Sequence, residues 1–243
     1  MRLTLACLVV LAIGFTESPR GIGAPLTPNR ELVTILGNLA GSAANEQYRQ
    51  IEDAVNASPQ LVEQLNELAA SGKLTAIVVL NSTAAATAPN PGPFSAWIAG
   101  TSLVFTEKLL PQLTQRRLYD VVHPDDILPN NTTFVLGHLA FHLRVAPPPI
   151  NKLAVDDYVA GMLNQEAHAF IQAWNDALDA ATQQNHGPLT AGQIGSLLLN
   201  MRYRFAFVTA DIHLGQGGTI DPNESNVNAI ATALKKASVT DIQ

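Results

Sequence analysis

Apolar positions recur at helical spacing from Glu31 to Leu68: Leu32, Ile35, Leu36 and Leu39, then Tyr48, Ile51 and Val55, then Leu61, Leu65 and Leu68. This pattern predicts three helices, and Ser58-Pro59 supplies a cap and a first-turn residue for the third. The period then changes. LTAIVVL, Leu74 to Leu80, is apolar and β-branched, the pattern of a buried strand. Phe94 to Phe105 fits one or two further strands bent at Gly100, and a short helix follows from Thr106, broken near Pro111 and continued through Tyr119. The remainder reads as helices over residues 132–145, 155–183, 190–207 and 223–237, with PPP at 147–149 stopping the first of them and a Gly-rich turn at 215–218. Helices, then a few strands, then helices argue an α+β fold that is predominantly helical, with a small sheet.

Composition narrows the function classes. The chain has 243 residues, 47% hydrophobic and 14% charged, enough to bury a sizeable core. A net charge of −6 with scattered basic residues argues against a nucleic-acid partner. MRLTLACLVVLAIGF sets one arginine before an apolar run that matches a secretory leader and is too short for a comfortable membrane span. Residues 1–24 are therefore expected to be a leader, with an exported (periplasmic or extracellular) mature chain and no stable membrane span after its removal. Cys7, the one cysteine, lies inside this segment, so a processed chain would carry no thiol. Residues 25–72 form the helical N-terminal section, and 73–243 a second domain.

The candidate chemistry sits in TFVLGHLAFHLRV, Thr133 to Val145. His138 and His142 are four residues apart and so share one helix face, where two neutral imidazoles can reach one ion. Apart from them and Arg144, every residue from Phe134 to Val145 is apolar or glycine, which predicts a helix buried nearly all round. Buried imidazoles need hydrogen-bond partners or a metal, so core histidines satisfied by carbonyls are the competing reading. The best third ligand is Glu166, on the long following helix. Phe170, Trp174, Ala177 and Leu178 continue its face by three- and four-residue steps. A buried acid paired with His142, Arg202 or Arg204 is the alternative for Glu166. His168 points about 200° around the helix from it.

An HxxxH helix, a loop and a second helix with an inward Glu resemble the gluzincin-type (zincin-fold) zinc metallopeptidases. The likeness covers about residues 74–185, with the strands and GPFSAWIAGTSLVF before the helix and with Asn164 and Glu166 loosely echoing the second-helix motif. It implies a zincin-like domain over 73–243 and zinc held by His138, His142 and Glu166. One departure is severe. That family carries a glutamate after the first histidine, and here the position is Leu139, which cannot move a proton. General acid–base catalysis is worth about 10²- to 10⁴-fold. The expectation is thus a catalytically impaired zinc-binding pseudoenzyme that takes a peptide or protein partner, a peptide strand adding along the Trp97–Phe105 edge. Two other readings stand beside it: an active metallohydrolase using a non-standard base, with Asp156 and Asp157 as outside substitutes, and a metal-free helical structural or binding protein. No catalytic residue is certain. By the same likeness, His213 and Tyr203 are weak candidates for stabilising an oxyanion.

Overall fold

Four side chains mark where the helices begin. Asn29, Ser58, Asn130 and Thr190 each accept a hydrogen bond from a backbone N–H of the turn that follows, from Leu32, Leu61, Thr133 and Gln193 respectively. The structure, a computed structural model, describes residues 26–81, 83–84, 95–114, 127–201, 207 and 210–240. It opens with α1 (Arg30–Ser42), α2 (Asn45–Asn56) and α3 (Pro59–Ala70), the three helices that the N-terminal spacing predicts. Then come β1 (Ala76–Leu80), β2 (Ala96–Ala99), β3 (Ser102–Thr106) and α4 (Leu109–Thr114). The chain continues through α5 (Asn131–Arg144), α6 (Val155–Gln184), α7 (Ala191–Asn200) and α8 (Glu224–Thr240). This is a mainly helical α+β fold around one small sheet.

The sheet order is β1-β3-β2. β1 runs parallel to β3, with Ala76 opposite Ser102 and Leu80 opposite Thr106, and β2 returns antiparallel to β3, with Ala96 opposite Phe105. Gly100, at φ +62°, is the first of the two residues in this hairpin turn, where a positive φ matches the strand twist. The expected edge along Trp97–Phe105 is therefore only half an edge. β2 lies at the margin of the sheet, but β3 is central, and its Leu103, Val104 and Phe105 are buried as a continuous apolar run.

Two hydrophobic clusters meet at α5. Val135, Leu136, Leu139 and Ala140 pack with α1–α3, β1, β3 and α4, so the N-terminal helices and the sheet share one core. Phe134 packs instead with the apolar face of α6 and with Leu197, Val227 and Ile230 of α7 and α8. Trp174, fully buried, anchors this second cluster and donates its indole N–H to the Gly218 carbonyl. The turn expected at 215–218 is present, a single 3-10 turn over Gln216–Gly218 with Gly217 and Gly218 at positive φ.

Three local differences have physical causes. Pro111 lies within the first turn of α4, where the missing N–H is not needed, so it does not break that helix. The continuation to Tyr119 lies outside the described residues. α7 ends at Asn200 because Met201 turns to extended backbone, and the residues expected to prolong it to Phe207 lie largely outside the described set. Finally, α5 is buried all round only in its first half. Phe141, His142 and Leu143 are half-buried and Arg144 is exposed, so the helix emerges from the core where the histidines begin. No described helix is long and apolar enough to cross a membrane.

Candidate metal centre

α5 and α6 run side by side and bring the three expected ligands together. His138 and His142 sit one turn apart on α5, their ring centroids 4.8 Å apart and inclined at 64°. Glu166 of α6 reaches between them. Its Oε2 is 3.3 Å from Nε2 of His138, and its Oε1 is 3.2 Å from Nε2 of His142. One donor atom from each residue lies within 4.8 Å of the others, and among the described residues this is the one such group of histidine and acidic side chains. The side chains keep 22%, 18% and 34% of their surface exposed, so the group opens to solvent on one side.

The carboxylate spans the two imidazoles, each of its oxygens facing a different Nε2 at 3.2–3.3 Å, the long end of hydrogen-bond and ion-pair contact. Two ligands on a tetrahedral zinc lie about 3.3–3.5 Å apart, so donor atoms that spread to 4.8 Å would have to draw in around such an ion. Nε2 of His142 is buried, and its contact with Glu166 is too poorly aligned to count as a well-formed hydrogen bond. Burial pushes the Glu166 carboxyl up, but the two imidazoles outweigh it and bring the group down to about 2. Glu166 is therefore an anion ready to ligate at neutral pH. Two nitrogens and one carboxylate oxygen, with an open side, could hold a metal ion.

The surroundings fix the rings by packing. His138 meets Phe170 edge-on, with centroids 5.2 Å apart at 88°. Its Nδ1 is buried and has no partner, whereas a metal-bound histidine ordinarily donates that N–H to a carboxylate or carbonyl. Phe141 packs edge-on against His142 and stacks on His168, 6.2 Å away at 7°. His168, half-buried and with its pKa lowered by that burial, thus stays outside the ligand group.

The other expected residues fall elsewhere. Leu139 is 6% exposed and belongs to the core formed with α1–α3, so its side chain is part of the packing of the N-terminal section and not of the open side of the site. Asp156 and Asp157 are exposed in the first turn of α6. They precede Glu166 by ten and nine residues, about 13–15 Å along the helix, beyond the reach of the metal position. His213 is exposed on its loop, where its backbone is bracketed by the Asn226 amide. Tyr203, Arg202 and Arg204 lie outside the described residues.

One cluster escaped the sequence reading. Asp176 of α6 is fully buried; its Oδ1 accepts from Gln64 of α3 at 2.9 Å, and its Oδ2 has no hydrogen-bond partner. Burial pushes this carboxyl well above the usual carboxylate range, against the pull of the Gln64 hydrogen bond. It lies against Gly137, the neighbour of His138. A glycine inside a helix costs about 1 kcal/mol relative to alanine, and Gly137 was the available signal of a close approach. Compared with known proteins, the chain matches no protein family, no curated protein and no solved structure.

Proposed function

We propose that this protein binds one zinc ion through His138, His142 and Glu166, in a site of gluzincin-like layout that lacks its general base, and that it acts by binding a peptide or protein. The observation that carries the reading is the convergence of two imidazoles and one carboxylate, with donor atoms within 4.8 Å of one another and Nδ1 of His138 buried without a partner. Zinc would supply Lewis acidity at the open side of the site. Among the described residues, none of those expected to move a proton lies at the triad. Leu139 is apolar and in the core, and Asp156, Asp157 and Asp176 are each set apart from the triad. A bound metal without that acid–base group forgoes about 10²- to 10⁴-fold in rate. The partner would add to the margin of the sheet at β2, one of its two outer strands among the described residues. The apolar stretch within residues 1–24, read as a leader, supports an exported chain.

Equilibrium dialysis against zinc, followed by metal analysis, tests the binding. One zinc per chain is expected, and His138→Ala is expected to lose it. Equal zinc in both proteins, or none in either, would remove the reading.

A further inference from the structure

The triad depends on where α5 lies along α6, and that register is fixed at a second contact. A Cβ placed on Gly137 would stand 2.1 Å from Oδ2 of Asp176 and 3.3 Å from the Cα of Ala173, so the two helices cross in near backbone contact at the residue before His138. Three hydrogen bonds surround the crossing. Gln172 Nε2 donates to the Gly137 carbonyl at 2.9 Å and to Gln64 Oε1 at 2.8 Å, while Gln64 Nε2 donates to Asp176 Oδ1 at 2.9 Å. Arg144, at the end of α5, donates to Oε1 of the Gln172 side chain. Every link joins two of α3, α5 and α6.

We propose that Asp176 is a positioning residue for the metal site, acting through its contact with Gly137 and its link to Gln64 and Gln172 to set the register of the two ligand helices. Glu166 precedes Ala173 by seven residues, about 10.5 Å along α6. Over so short a rigid lever, any slide or roll at the crossing passes to the carboxylate that must meet both imidazoles. Metal–ligand distances tolerate only about ±0.2 Å, so a shift that merely loosens a core is enough to disrupt coordination. The buried carboxyl is otherwise costly, since one oxygen has no partner. The contact also accounts for a glycine beside a ligand: no other residue leaves room for Oδ2.

This inference rests on the zinc reading and is separable from it. The test compares the full chain with Gly137→Ala, Asp176→Ala, the double variant and Asp176→Asn. Cobalt and zinc affinities are measured by chelator competition, the cobalt d–d spectrum reports ligand geometry, and the imidazole resonances of His138 and His142 are recorded without metal. Taking the range for losing an outer-shell partner, Gly137→Ala is expected to weaken binding about 100-fold and Asp176→Ala about 10-fold, with Asp176→Asn within about threefold of wild type. The double variant should return to the level of Asp176→Ala, because removing the carboxyl relieves the added methyl. A folded Gly137→Ala with wild-type affinity, spectrum and imidazole resonances would overturn the proposal. If Gly137→Ala does not fold, Asp176→Ala decides alone, and wild-type affinity with unshifted resonances there would overturn it equally. If the wild type binds neither metal, the zinc reading fails, and the metal-free imidazole resonances still decide whether Asp176 sets the register.

Discussion

Two polar clusters join the same pair of helices, and they differ in almost every physical respect. The His138–His142–Glu166 group is partly open to solvent, and its contacts, at 3.2 and 3.3 Å, are longer than the usual charge-assisted hydrogen bond. The Gly137–Gln172–Gln64–Asp176 group is closed, and its hydrogen bonds are 2.8–2.9 Å long. Hydrogen-bonded polar groups between helices specify how they dock, and in this group only Oδ2 of Asp176 is left out. Two imidazoles and a carboxylate that converge at a partly open surface could instead hold an ion. The second cluster is a joint, and the first is what the joint holds in place.

Substitutions can break this contrast from either side. The largest effect is expected at the open cluster. Glu166→Ala should lose stoichiometric zinc, a fall in affinity of at least about 100-fold, more than an outer-shell change produces. Its thermal stability without metal should fall as well at neutral pH, because the carboxylate's pairing with the two imidazoles is lost; zinc titration and calorimetry on one preparation would check both.

Next comes Leu139→Glu, which in a zincin-like reading restores the missing base. Leu139 is packed in the core with α1–α3, so the new carboxylate would be buried there, without a partner among the aliphatic side chains. We expect a loss of about 3 kcal/mol or more in urea unfolding and no gain of peptidase activity. A stable, proteolytically active Leu139→Glu would show that this side chain can reach the site after all.

The smaller effects are in pH dependence, and they have opposite signs. Glu166 is held at about 2 in the folded chain against an ordinary value of 4.5, so its contribution to stability is present above 4.5 and is lost as pH falls toward 2. Glu166→Gln should flatten that acid limb. Asp176 is raised well above 3.8, so it costs nothing below that value. As pH rises from there through its folded-state pKa, the unfolded chain ionises first and stability falls. Asp176→Asn should remove the fall, leaving the variant increasingly more stable than wild type toward neutral pH. Unfolding midpoints of the metal-free proteins between pH 2 and 8 measure both slopes, and parallel curves for wild type and variants would contradict them.

Much of this was legible in the sequence because local rules governed it. Helical spacing and caps at Ser58 and Asn130 located α1–α3 and α5. Four-residue spacing put the histidines on one face, and the periodicity of α6 turned Glu166 inward. What stayed hidden depends on contacts between distant segments. The central place of β3 is a matter of pairing with β1, more than twenty residues earlier, although its unbroken LVF run was a hint. Asp176 and Gln172 look like ordinary polar residues of a long mixed helix. Only the crossing of α3, α5 and α6 gives Asp176 its burial and Gln172 its three partners.

The most direct test of the central claim is X-ray absorption at the zinc edge of the full chain loaded with one equivalent of metal. Two imidazole nitrogens and one carboxylate oxygen at about 2.0–2.2 Å are expected, with a water oxygen in the remaining position. A shell of oxygens alone, with no imidazole scattering, would contradict it.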